Sequence, residues 1–152
     1  MTDTTARLAL PLIAPGQAQK EMTHNEALTM IDIALNPSVV AIGLDVPPAA
    51  PVAGQCWIVG ASPSGAWTGQ ARAIAGWTAG GWRFVVPRAG TVATLAETGR
   101  RAMFLSGEWR TDTAPPPVAD PAGGNVVDVQ ARSAIAQLLS ALRGLQLIPP
   151  NM

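Results

Sequence analysis

Ala73-Ile74-Ala75-Gly76-Trp77-Thr78-Ala79-Gly80-Gly81-Trp82-Arg83-Phe84-Val85-Val86 is the stretch on which the reading of the fold turns. Two β-prone runs, Ala73–Trp77 and Trp82–Val86, flank the turn-forming residues Thr78-Ala79-Gly80-Gly81, the pattern of an antiparallel hairpin. Upstream, Gln55-Cys56-Trp57-Ile58-Val59 reads as another strand. Downstream, Thr91–Leu95 and Arg101–Leu105 are joined by Ala96-Glu97-Thr98-Gly99-Arg100, and Ser106-Gly107 turns the chain into Glu108-Trp109-Arg110. The sum predicts a small antiparallel meander of five or six strands, barrel-like, with short turns. Between Ser38 and Gly54, prolines at 47, 48 and 51 break any helix, so this segment is expected to be a crossing loop with at most one short strand.

Helices flank the strands. Ala6–Gly16 alternates Leu8, Leu10 and Leu12 and contains Pro11 and Pro15, which predicts an extended arm lying on something apolar. Thr23-His24-Asn25-Glu26 precedes an apolar run in the pattern of a capping box. It predicts a helix from about His24 to Asn36, stopped by Pro37, burying Leu28, Ile31 and Leu35 with Ala27 and Ala34 alongside. Thr111–Gly124 holds Pro115, Pro116, Pro117 and Pro121 and reads as a stiff linker. Beyond it, Asp128 can cap a helix running to about Arg143, with Gly144 as terminator. The organisation expected is an N-terminal arm, helix and Trp/Gly-rich β domain over 1–110, a Pro-rich linker over 111–124, and a C-terminal oligomerisation or docking helix over 125–152. The fold class is thus mainly β with flanking helices (α+β).

Composition narrows the function classes. Of 152 residues, 48% are apolar and 13% charged, with ten basic and ten acidic side chains, against about 25% charged in ordinary soluble proteins. A surface with so little charge is expected to be covered in part by partner subunits. Neutrality is a sum over unlike segments, since residues 72–110 hold six arginines against two glutamates while residues 1–71 are acidic. A single cysteine, Cys56, excludes an internal disulfide. No apolar run approaches the roughly 18–20 residues of a membrane span, so membrane insertion is not expected. Arg7 before Leu8–Ala14 imitates a signal peptide weakly. Asp3, Pro11 and the missing small-residue cleavage site argue against one, and synthesis in the cytoplasm is expected.

Chemistry-bearing residues are few. His24 is the one histidine, and its neighbours Glu21 and Glu26 match no metal signature. Neither a nucleophile elbow nor a phosphate loop is present, and Glu97 with Glu108 is only a paper pair of acids. No enzyme activity, metal or cofactor is therefore expected. The modestly basic segment lacks lysine, which suits neither a phosphate-binding stripe nor nucleic acid as a partner.

The five tryptophans, with no tyrosine and two phenylalanines, are the most unusual feature. An indole can stack on a sugar ring or fill the core of a small sheet. Most of the five are expected inside, with one or two exposed and Trp67 in its Gly/Ser-rich loop the first candidate; Trp67, Trp77 and Trp82 are the candidate glycan contacts. For assembly, Ile135, Leu138, Leu142 and Leu145 recur at alternating spacings of three and four, following Ala131. A seam of about two heptads is too short to stand alone. It packs either on its own meander or with copies of itself around a rotational axis. Leu8, Leu10 and Leu12 of the arm complete the candidate subunit interface.

The residues also carry a resemblance. Leu8–Ala14, then Ala18-Gln19-Lys20-Glu21-Met22-Thr23-His24-Asn25-Glu26-Ala27-Leu28, then Gly54–Gly60, Gly65-Ala66-Trp67, Ile74–Trp77 and Gly80–Phe84 resemble an uncharacterised domain family of alphaproteobacterial prophages and gene transfer agents. The likeness spans roughly residues 6–110. It implies a structural protein on the surface of a phage-like particle, a head spike or tail fibre that oligomerises as a trimer or pentamer. Its implied partners are copies of itself, capsid or other spike and fibre proteins, and cell-surface capsule polysaccharide during host attachment. No catalytic residues come with the resemblance. A large C-terminal receptor-binding domain is not expected, so a base or adaptor is expected over direct receptor recognition, with glycan binding as the alternative.

Overall fold

The computed structural model describes residues 3–16, 18–111, 118–123, 128–144 and 147–148. The described elements are α1 (Lys20–Ala34), β1 (Ser38–Val39), β2 (Ile42–Leu44), β3 (Cys56–Val59), β4 (Ile74–Thr78), β5 (Gly81–Val85), β6 (Val92–Leu95), β7 (Arg101–Leu105), β8 (Glu108–Thr111) and α2 (Val129–Gly144), with a 3-10 turn at Gly65–Trp67. They fall into two units, Met1–Asp112 and Thr113–Met152. The protein is mainly β with an N-terminal and a C-terminal helix, as its patterning predicts.

The hairpin forms with Trp77 opposite Trp82 and Thr78 opposite Gly81. Ala79-Gly80 makes the turn, and the Thr78 hydroxyl stabilises it by accepting from the Gly80 N–H at 3.1 Å and donating to the Gly81 carbonyl at 2.7 Å. The second hairpin, β6–β7, and the turn into β8 also form.

The single meander is corrected. The strands make two four-stranded sheets, in the orders β2-β3-β4-β5 and β1-β6-β7-β8, and neither closes into a barrel. The segment expected to be a crossing loop supplies a strand to each. β1 pairs in parallel with β6, and β2 pairs in parallel with β3. Turn chemistry announces antiparallel neighbours, because the turn is local; a parallel pair is joined by distant chain and leaves no such mark.

The two faces of the first sheet have different cover. Cys56, Ile58 and Ile74 pack with Val39, Ala93 and Ala102 of the second sheet and with Ile33 of α1. Burial at this site pushes the Cys56 thiol up to about 11. The opposite face carries Trp57, Val59, Ala75, Trp77, Trp82 and Phe84. Burial on both sides explains why all four residues of β3 are inaccessible, where a half-exposed strand would alternate.

Helix α1 meets the sheet at Gly76. A Cβ added there would lie 2.5 Å from Ile33 Cδ1 and 2.6 Å from its Cγ1, so only glycine lets the helix approach this closely. Gly76→Ala is expected to cost about 1–3 kcal/mol through overpacking. Urea unfolding should show a lower midpoint at unchanged slope.

Four expectations at the N-terminus are overturned. The helix starts at Lys20, a turn earlier than predicted, after Gln19 in the left-handed region, and no side chain caps it. Glu26, assigned to the capping box, instead accepts from Arg83 Nε on β5 at 2.7 and 3.0 Å. The buried residues are Asp32 and Ile33, whereas Ile31 and Leu35 are 48% and 58% exposed. Apolar residues at 28, 30, 31, 33 and 35 surround the helix, so spacing alone does not choose a face; the notch at Gly76 does.

The arm is folded instead of extended. Thr4 bridges Pro11, the Thr5 N–H donates to the Leu10 carbonyl, and the Leu12 N–H donates to that of Asp3. This turn is held by the Asp32 carboxylate, which accepts from the Thr5 hydroxyl at 2.9 Å, the Arg7 N–H at 3.0 Å and the Leu8 N–H at 2.7 Å. The Arg7 guanidinium then covers the open end of α1, donating to the carbonyls of Asp32, Ile33 and Asn36. A cation at the carbonyl end of a helix is favoured by hydrogen bonding and by the helix dipole.

In the second unit, Asp128 caps α2 as its sequence predicts, with Oδ1 accepting from the Ala131 N–H at 2.9 Å. Part of the presumed linker belongs to this unit. Arg143 pairs with Asp120 at 3.2 Å and donates to the Val118 carbonyl at 2.8 Å, and Arg132 donates to that of Gly123. Residues 112–117 and 124 of the linker lie outside the described residues. Among the described residues, no helix is long and apolar enough to cross a membrane.

Candidate functional site

The outer face of the first sheet carries the indole cluster. β3 presents Trp57, while the β4–β5 hairpin presents Trp77 and Trp82 side by side, because residues opposite each other on an antiparallel pair share a face. Trp67 arrives from outside the sheet. Asp45, just after β2, organises the loop that delivers it: its carboxylate accepts from the Ser62 N–H at 2.9 Å, and its carbonyl accepts from the Ser64 N–H at 2.8 Å. The 3-10 turn that follows lowers Trp67 onto the sheet.

Trp82 is the hub. Its ring centroid lies 4.9 Å from Trp77, 5.1 Å from Trp67 and 5.4 Å from Trp57, all edge-to-face. Edge-to-face contacts add about 0.5–1.5 kcal/mol each beyond the area they bury. Trp67, the first candidate for exposure, is 0% exposed. That expectation is corrected: the loop is Gly/Ser-rich because it must bend to place the indole inward. Trp67 Nε1 is buried without a hydrogen-bond partner among the described residues. Trp77 and Trp82 are half-buried, and their planes stand at 65°, so they form an edge and not a flat platform for a sugar ring.

Trp109 lies on the inner side of the second sheet, 5.4 Å from Phe104, with its Nε1–H donating to the Arg72 carbonyl at 2.8 Å. Arg72 is the hinge of a clamp that turn chemistry and composition did not reveal. From the loop before β4 it reaches β8 of the other sheet and grips Glu108 through Nε at 2.9 Å and Nη2 at 2.5 Å. This two-point hydrogen bond holds the Glu108 carboxyl below its ordinary range and raises the Arg72 guanidinium. A lowered carboxylate pKa contributes stability that is complete above the unfolded value and lost as pH falls through the folded one. Glu108→Gln is therefore expected to flatten the acid limb of the stability curve, checked by urea midpoints between about pH 3 and 7.

The candidate interface residues are divided. Leu8 is 41% exposed, and Leu10 and Leu12 are half-buried in the folded arm. On α2, Ile135 and Leu138 are 47% and 63% exposed, Leu142 is half-buried, and the buried residue is Leu139. Leu145 lies outside the described residues. Asp32, which organises the arm, was not singled out from the sequence, since one carboxylate in an apolar helical run ordinarily faces water.

No curated protein matches the chain. Residues 24–110, from α1 through β8, match the family described as "Protein of unknown function (DUF2793)". This span contains the whole indole cluster, both sheets except the last residue of β8, and the Arg72–Glu108 clamp, while the arm and α2 lie outside it. The chain belongs to the DUF2793 family.

Proposed function

We propose that this chain is a structural component of a phage-like particle, a prophage or gene transfer agent product that forms the base or adaptor of a head spike or fibre and supports attachment to the host surface. The observation that carries the reading is apolar surface on both helices in a chain with little charge. Met22 and Ile31 of α1, Leu35 at its end, and Val129, Ile135 and Leu138 of α2 are exposed, and only 13% of residues are charged. Faces of this kind suit permanent neighbours more than water. The resemblance of roughly residues 6–110 to an uncharacterised domain family of prophages and gene transfer agents suggests the setting: copies of the same chain, then capsid or other spike and fibre proteins.

Quantitative mass spectrometry of particles purified from a producing strain tests the reading. The chain is expected at a fixed, low copy number relative to the major capsid protein. Its absence from washed, intact particles would overturn the proposal.

A second reading, direct contact with capsule polysaccharide, is favoured by the half-buried Trp77 and Trp82 at the hairpin tip. Their mutual packing narrows it to the ring edges they leave open. Trp77→Ala in correctly folded protein should reduce polysaccharide retention on an affinity column if this reading holds, and unchanged retention opposes it.

A further inference from the structure

We infer that the free edge of β5 pairs with β5 of a second copy of this chain, antiparallel about a two-fold axis, so that two first sheets join into one. In the order β2-β3-β4-β5, β5 has a neighbour on one side only. Thr78 lies opposite Gly81 across a two-residue turn, so Gly81, Arg83 and Val85 turn their N–H and C=O groups to β4, and those of Trp82 and Phe84 point away from it. The far side of β4 agrees: Trp77, opposite Trp82, donates its N–H to the Gln55 carbonyl at 2.9 Å and not to β5. The Trp82 carbonyl accepts from Arg83 Nη1 at 3.0 Å and keeps a second lone pair.

The other edges are protected and this one is not. β1 has two residues, β2 has three with an irregular register, and β8 carries Glu108 and Arg110. Shortness, bulges and charge are the means by which edge strands avoid pairing. β5 has five residues, without proline or lysine, and its one charge, Arg83, is tied to Glu26 at 2.7 Å. Open main-chain groups in this pattern take an extended backbone as partner. The second unit offers no strand among its described residues, since α2 is helical and residues 118–123 are bonded to its arginines.

An identical strand completes the edge in one register. Centred on Phe84, antiparallel pairing sets Trp82 against the partner's Val86, Phe84 against the partner's Phe84, and Val86 against the partner's Trp82. These residues share one face of the sheet. Val86 precedes Pro87, which favours the extended backbone the pairing needs. Val86 is 71% exposed and Trp82 is half-buried, so each copy covers the other's valine with an indole, an aromatic and β-branched pair of the kind that stabilises sheets. Arg83 then faces the partner's Val85. A register centred on Arg83 sets arginine against arginine, and one centred on Trp82 leaves Val86 uncovered, so both are disfavoured.

The test uses the full-length chain. Sedimentation equilibrium is expected to give an even number of copies. Hydrogen exchange followed by NMR is expected to show the Trp82 and Phe84 amides slowed where the assembly forms and fast on dilution. Val86→Asp, at an exposed position, should raise the dissociation concentration by about tenfold or more, whereas Val46→Asp, 66% exposed after β2, should leave it unchanged. A monomeric or odd-numbered wild type, an assembly in which these two amides exchange as fast as in the diluted chain, or one unaffected by Val86→Asp would overturn the inference. The particle reading is tested separately, by the presence of the chain in purified particles.

Discussion

Trp67→Ala is expected to destabilise the first unit by about 3–5 kcal/mol, the range for emptying a buried aromatic site. Trp67 is wholly buried, and its ring lies 6.3 Å from Trp57 and 5.1 Å from Trp82. The strands beneath cannot close the gap, since β3 and β4 are fixed by hydrogen bonds and by the second sheet on their other face. Near-UV circular dichroism should lose the coupled indole signal, and the urea midpoint should fall. Trp67→Phe, which keeps most of the volume, should cost clearly less. An alanine variant with unchanged stability would mean that the loop, and not the indole, holds this face together. Trp77→Ala, at a half-buried position, should cost less than Trp67→Ala, which separates the structural role of the cluster from any role of its rim in binding.

Asp32→Ala is expected to cost about 3 kcal/mol or more. The carboxylate is 4% exposed and receives hydrogen bonds from Thr5, Arg7 and Leu8. Removing it strands these donors, each at about 1–3 kcal/mol where water cannot replace the acceptor. Release of the arm limits the loss, because freed donors then reach solvent. The variant should therefore show two signatures, a lower urea midpoint and faster tryptic cleavage after Arg7. Asp32→Asn, which retains one acceptor oxygen, should lie between wild type and alanine in both. Cleavage after Arg7 at the wild-type rate in Asp32→Ala would show that the helix-end contacts of Arg7 are sufficient to hold the arm.

These two residues mark where legibility in the sequence ends. Hairpins and the Asp128 cap were legible because each depends on residues a few positions apart: Gly80-Gly81 at the turn, and a carboxylate three residues before the N–H it accepts from. Trp67 and Asp32 were not, because their roles depend on partners far along the chain. The Gly/Ser-rich loop around Trp67 has the composition of an exposed loop, yet Asp45 folds it inward. The buried face of α1 is not legible for a related reason. Leu28, Ile31 and Leu35 make a plausible stripe, but the stripe through Asp32 and Ile33 has a partner on each side, the arm and the notch at Gly76.

By itself the sequence determined the two helices, the strands of the antiparallel pairs in their order, the tight turns between them and the low share of charge, all properties of short stretches of chain. Tertiary structure decided the rest. It split the expected meander into two sheets by inserting β1 and β2 in parallel, turned Trp67 inward and folded the arm over Asp32. The physical reason is common to all three: burial and hydrogen-bond satisfaction are settled between surfaces that meet only after folding. Patterning states what a segment can cover, and only its neighbours determine what it does cover.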